Sequence, residues 1–305
     1  MVREIIYSLF NLLGGLAVFM YGMKVMSDNL ERVAGRKIKA MLSKVSENRL
    51  VGVGIGTAVT AIIQSSSATT VMIVGFVNIG IMTLMQAVPI IMGANIGTTV
   101  TLQITSLKNV FDITAIAGFL AAAGLFMNMF SNRNAVKRSG AILVGFGMIF
   151  IGLDFMSISM DSFKEPLAHF FAVINNPILL ILFGMIFTAV INSSSAATVI
   201  VAGFAAAGSM NLETAVYSVL GMNIGTCVTA LLSSIGTNIN ARRAAIIHLL
   251  FNVIGTISAA IVFAIIGFGP IGAGLRAASG QDIMRQIANF HTLFNLFTTI
   301  LLLPF

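Results

Sequence analysis

The chain has 305 residues, 57% of them hydrophobic and only 9% charged, with a mean hydropathy of +1.00. Soluble domains carry about 25% charged residues, so this sequence cannot cover a water-facing surface and reads as a polytopic, all-α membrane protein. Its 17 basic residues against 10 acidic ones come with no groove-reading motif, which excludes nucleic acid as a partner. The single Cys227 excludes an intramolecular disulfide and any all-cysteine metal site.

In chain order, residues 5–26 predict a first transmembrane helix, longer than the ~7–15 residues of a signal-peptide core. A basic amphipathic stretch follows, with Lys24, Arg32, Arg36, Lys37, Lys39, Lys44 and Arg49 against Asp28, Glu31 and Glu47. It reads as an interfacial helix on anionic lipid. No charged residue occurs from 50 to 107. Lys108 and Asp112 mark a turn before a span at 111–130, which Arg133, Lys137 and Arg138 close. A span at 140–158 leads to a mixed loop with Asp161, Lys164, Glu165 and His169, ending at Asn175-Asn176-Pro177. The next apolar stretch, to residue 241, is broken only by Glu213. A helix at 242–268, a Gly-rich loop at 269–285 and a C-terminal transmembrane helix at 289–305 complete the chain.

Each charge-free stretch is too long for one helix and carries a cluster of small hydroxylic residues. A re-entrant hairpin (50–80 and 177–209) followed by a discontinuous transmembrane helix (81–107 and 210–235) fits better than two plain spans, because irregular backbone is tolerated at membrane depth where it lines a cavity. This topology places 12 of the 17 basic residues inside and leaves Arg3, Lys108, Lys164, Arg276 and Arg285 outside. That bias obeys the positive-inside rule and puts the C-terminus in the cytoplasm.

The sequence repeats itself at an offset of 128. Residues 52–101 align without a gap on 180–229, and 24 of the 50 pairs are identical. The preceding helices match at an offset of 130, Gly15 on Gly145 and Gly22 on Gly152. The first repeat (1–130) starts outside and the second (139–268) inside, so the two are inverted. Such repeats mark secondary transporters whose binding site lies near the membrane midplane.

Two doubled motifs carry the chemistry. Gln64-Ser65-Ser66-Ser67-Ala68-Thr69-Thr70 and Asn192-Ser193-Ser194-Ser195-Ala196-Ala197-Thr198 put an amide and several hydroxyls at each hairpin tip. A helix beginning there would turn its N–H groups and positive dipole end to a ligand. Hydroxyl and N–H donors suit an oxyanion, while amide, hydroxyl and carbonyl oxygens suit a hard cation such as sodium. In Gly93-Ala94-Asn95-Ile96-Gly97-Thr98-Thr99-Val100-Thr101 and Gly221-Met222-Asn223-Ile224-Gly225-Thr226-Cys227-Val228-Thr229, the paired glycines are expected to unwind a helix. Thr98 and Thr101, three apart, then share one face. His248 and His291, each opening a His-x-x-Phe-Asn segment, read as scaffold hydrogen bonders, Glu213 as solvated and Cys227 as packing. Asp154 is an intramembrane carboxylate and so a functional candidate. With no nucleophile–base pair and no metal-ligand cluster, the sequence does not read as an enzyme.

The two serine motifs, the two Asn-Ile-Gly-Thr stretches and the two His-x-x-Phe-Asn segments resemble the type II sodium-dependent phosphate cotransporter family over nearly the whole chain. The resemblance implies sodium-coupled symport of inorganic phosphate across the plasma (inner) membrane, with sodium as coupling ion and no organic cofactor. It implies phosphate at Ser65, Ser66, Ser67, Ser193, Ser194 and Ser195, and sodium at Gln64, Asn95, Thr98, Thr101, Asn192, Asn223, Thr226 and Thr229. Asn192 stands where the family usually has Gln, which puts one sodium site in question. Many bacterial members carry a soluble PhoU-like domain after the membrane part, and this sequence stops at Phe305 before one. A homodimer is compatible with this reading. Another oxyanion, proton-linked phosphate export and a passive channel are the alternatives. A physical argument favours sodium: a phosphate dianion would enter segments without Lys or Arg, where uncompensated burial of charge costs many kcal/mol.

Overall fold

The computed structural model describes residues 2–43, 48–109, 113–174 and 176–305. Among the described residues it holds fourteen α-helices, two 3-10 turns and no strand. The helices are α1 (Val2–Ser43), α2 (Arg49–Ile63), α3 (Ser66–Asn78), α4 (Leu84–Thr105), α5 (Ile113–Phe130), α6 (Asn134–Met160) and α7 (Lys164–Val173). They continue with α8 (Pro177–Ile191), α9 (Ser194–Ala206), α10 (Leu212–Gly225), α11 (Cys227–Ser233), α12 (Ile239–Ile266), α13 (Phe268–Ser279) and α14 (Ile283–Leu302). Five segments are long and apolar enough to cross a membrane: Ile6–Gly35, Leu84–Thr105, Asn134–Ser159, Leu212–Ser233 and Ile239–Ile266. The chain is a multi-pass membrane protein.

Helix starts recur at the repeat offset. Asn48 accepts from the N–H groups of Leu50 and Val51 to cap α2, and Asn176 caps α8 with Pro177 in its first turn. Thr83 forms a capping box with Gln86 at α4, and Asn211 caps α10. The helix–helix contacts recur as well. A Cβ built on Gly56 would collide with the Ile90 carbonyl, one on Gly93 with the Val53 carbonyl and one on Gly97 with the Thr57 carbonyl. In the second half, Gly184 meets Ser218, Gly221 meets Ile181 and Gly225 meets Met185 in the same way. Small residues let α2 pack backbone-to-backbone on α4, and α8 on α10. The equivalent helices α1 and α6 pack crosswise, Gly15 against Gly152 and Gly22 against Gly145, so they run antiparallel.

These contacts correct one expectation. The glycines of 93–97 do not unwind α4, which runs unbroken from Leu84 to Thr105 with Pro89 inside it. In the second half a single residue, Thr226, separates α10 from α11 and keeps right-handed helical angles. The glycines serve close approach, and the Asn95 side chain donates to the Ile91 carbonyl of its own helix. A separate interfacial helix after residue 26 does not form either. The basic stretch continues α1, and its Ile38 and Leu42 are buried against Val59, Ile63 and Ile73 of α2 and α3. The segment expected to be a Gly-rich loop forms α13, because Phe268, Ile271 and Leu275 make an apolar stripe that packs on the core, and packing overrides glycine's weak helix propensity. α14 starts at Ile283, before the expected 289. Lys44, Glu47, Phe111, Asp112 and Asn175 lie outside the described residues.

Candidate functional site

Both serine motifs form the same local structure. Gln64 ends α2 in the left-handed region (φ 59°, ψ 25°) and Asn192 ends α8 there (φ 58°, ψ 21°). A left-handed non-glycine residue is uncommon, and Asn tolerates it better than Gln. The next residue is extended and caps the following helix: Ser65 Oγ accepts from the Ala68 N–H, and Ser193 Oγ from the Ala196 N–H. The first N–H groups of a helix have no acceptor within it. In α3 and α9 these belong to Ser66, Ser67, Ser194 and Ser195.

The fold brings the two tips to one cavity of about 250 Å³. Gln64 through Ala68 line one side and Asn192 through Ala196 the other, with Met20, Met23, Lys24, Ser27, Asp28 and Glu31 of α1 completing the wall. Two positive helix ends therefore converge on one small space. That arrangement is self-repulsive when empty and suits an anion, each end contributing about 0.3–1 kcal/mol. All six serines expected to meet phosphate line this cavity.

The residues expected to hold sodium make different contacts in the two repeats. Gln64 is buried, and its Oε1 accepts from Thr101 Oγ1 at 2.8 Å. The two residues border a smaller void of about 20 Å³ beneath the tip, which Thr105 also lines. Its counterpart Asn192 is exposed and turns to the Val190 carbonyl at 3.5 Å. Thr229 is left bonding the Thr226 carbonyl of its own helix region. The Thr98 and Thr226 hydroxyls donate to Ala94 and Met222 carbonyls one turn earlier. Asn95 and Asn223 face scaffold helices: His248 Nε2 of α12 lies 3.4 Å from Asn95 Oδ1, and His291 Nε2 of α14 lies 3.1 Å from Asn223 Oδ1. Cys227 is fully buried and lies between Asn252 and the His248 carbonyl, a packing position. Glu213 is exposed in the first turn of α10.

The wall contributed by α1 was not visible in the sequence, where Lys24, Asp28 and Glu31 read as loop or interfacial charge. Their i, i+4, i+7 spacing is the signal that places them on one helix face. Ser27, on the same face, donates to the Ile63 carbonyl at 2.6 Å and ties α1 to the end of α2 just before the tip.

The Na+/Pi-cotransporter family model matches residues 18–158 and 159–279. The chain belongs to the Na+/Pi-cotransporter family. It is 31% identical to the uncharacterized protein YqeW of Bacillus subtilis over 94% of this chain and 91% of that protein. It is 27% identical to the putative inorganic phosphate export protein YjbB of Escherichia coli K12 over 98% of this chain. That match covers 54% of YjbB, so the chain spans about half of that relative's length. A 103-residue segment is 40% identical to the human sodium-dependent phosphate transport protein 2B, covering 33% of this chain and 15% of that protein. No solved structure matches. As a family member the chain is a phosphate-transporter relative whose two serine motifs face one cavity.

Proposed function

We propose that the protein is a sodium-coupled symporter of inorganic phosphate in the plasma membrane, working by alternating access between two inverted repeats. The observation that carries this reading is the meeting of two serine-capped helix N-termini in one cavity. Phosphate sits between the tips, held by the N–H groups and hydroxyls of Ser66, Ser67, Ser194 and Ser195, while Ser65 and Ser193 fix the tips as caps. Sodium binds beside them, with Gln64, Thr98 and Thr101 in the first repeat and Asn192, Thr226 and Thr229 in the second, and offsets the charge of the anion.

Two features support the inverted, re-entrant topology. The crosswise Gly15–Gly152 and Gly22–Gly145 contacts are what a two-fold relation between equivalent helices requires. The 15 residues of α2 and α8 and the 13 of α3 and α9 extend only about 20–22 Å, short of a hydrocarbon core of about 30 Å. The charge bias of the loops supports a cytoplasmic C-terminus.

The test is phosphate uptake into proteoliposomes with an imposed sodium gradient. Uptake should collapse when choline replaces sodium, and uptake indifferent to that exchange refutes sodium coupling. The name of the E. coli relative favours a second reading, phosphate export on the same scaffold. Vesicles preloaded with phosphate distinguish it, since an exporter gives faster net efflux than uptake under matched, opposite gradients.

A further inference from the structure

We propose that Lys24 is a phosphate-recognition residue, its ammonium passing from Asp28 to the oxyanion when phosphate enters the cavity. This rests on the reading of the cavity as the phosphate site and adds to it a cation that neither repeat motif supplies. The tips contribute only Gln, Asn, Ser and Ala to the wall, whereas α1 contributes Lys24, Asp28 and Glu31. The hydroxyls and N–H groups that touch the anion carry no net charge, and a point charge on a flexible stem is a common phosphate partner that adds to the compensation sodium supplies.

Lys24 is also poised to exchange. Its Nζ lies 3.7 Å from Asp28 Oδ2, and the two side chains are 70% and 47% exposed. An ion pair this long and this accessible contributes little, so a phosphate oxygen competes with it readily. The stripe is fixed relative to the tip, because Ser27, between the two partners, bonds the Ile63 carbonyl. Departure of Lys24 leaves Asp28 without its ion-pair partner on a wall that Glu31 also lines, and the carboxylates then favour a sodium ion entering beside the anion. The lysine thus links the two cargoes through a change of partner, with no bond made or broken.

The experiment measures half-saturating phosphate for uptake at saturating sodium in proteoliposomes of the full chain. Lys24→Gln should raise it about tenfold or more, Lys24→Arg should stay within about threefold because the charge is kept, and Asp28→Asn should lower it by releasing the lysine. Gel filtration and thermal melting of each purified variant establish that it folds. Ser66→Ala, run in parallel, separates the two levels of the argument. If Ser66→Ala weakens phosphate and Lys24→Gln stays within twofold of the parent, the Lys24 proposal falls and the cavity reading stands. If neither variant changes it, the cavity is not the phosphate site and both fall. Equal weakening by Lys24→Gln and Asp28→Asn would mark a structural pair and also overturns the proposal.

Discussion

Replacing Thr101 by Val removes a hydroxyl that donates to Gln64 Oε1 at 2.8 Å, between side chains only 3% and 8% exposed. The methyl that takes its place cannot pair, so a buried amide oxygen loses its donor at a cost of about 1–3 kcal/mol. The equivalent change in the other repeat, Thr229→Val, breaks a bond to a carbonyl of its own helix region at 3.1 Å on a half-buried residue, and Asn192 is not its partner. If sodium takes oxygens from Gln64 and Thr101, Thr101→Val should raise half-activating sodium roughly five- to 150-fold, while Thr229→Val shifts it by less than about threefold. The added methylene in Asn192→Gln would give the second tip the reach that the first one has, and should lower half-activating sodium. The assay is a sodium titration of phosphate uptake in proteoliposomes at saturating phosphate. Equal shifts from Thr101→Val and Thr229→Val would refute this reasoning.

Other consequences are testable in the same preparations. Ser66→Ala or Ser194→Ala should weaken phosphate roughly ten- to hundredfold at saturating sodium, from the loss of a hydrogen bond to a charged ligand of about 1.5–3 kcal/mol; saturating sodium should rescue Thr98→Val or Thr226→Val more than these serine variants. In a Cys227→Ser background, which keeps a donor beside the His248 carbonyl, Asn132→Cys should react with impermeant thiol reagents from the cytoplasmic side and Ser162→Cys from outside, and the reverse pattern would overturn the inverted topology. Gly56→Ala should destabilise by about 1–3 kcal/mol through overpacking on the Ile90 carbonyl, read as a lower melting temperature. Gly54→Ala, which meets open space, should not.

Much of the architecture was legible because the repeat offset preserves caps, tips and contact glycines together. The two serine motifs and the helix that starts after each stand out in a single sequence, whereas the Ser65 and Ser193 caps and the left-handed Gln64 and Asn192 emerge only in the structure. What failed did so for one physical reason: local signals were read without their neighbours. Gly93 and Gly97 weaken a helix in isolation, yet packed against Val53 and Thr57 carbonyls they permit a contact that stabilises it. Glycines also hid α13, whose apolar stripe of Phe268, Ile271 and Leu275 packs on the core. Lys24, Asp28 and Glu31 read as the start of an interfacial helix on anionic lipid because of the basic charge around them, and only the packing of α1 beside the tips shows that they line the cavity.

The two His-x-x-Phe-Asn segments change how the repeats are bounded. They do not recur at the repeat offset, and α5, the helix closing the first repeat, carries no such segment. Yet α12, the last helix of the second repeat (139–268), brings His248 to Asn95 of the first, and α14, which follows that repeat, brings His291 to Asn223 of the second. With respect to these cross-links, α12 serves the first repeat as α14 serves the second, so a linear division at residue 130 separates partners that the fold unites. The cross-links also narrow the list of cargo ligands. The Asn95 Oδ1 faces both His248 Nε2 and the Asn252 amide, at 3.4 and 3.5 Å, which turns it toward the scaffold helix α12. An oxygen committed to the scaffold in this way serves to hold α4 in place. On the proposed function Asn95 is therefore scaffold and not a sodium ligand, whereas the tip serines, the Gln64–Thr101 pair and the loosely paired Lys24 can exchange partners with the cargo.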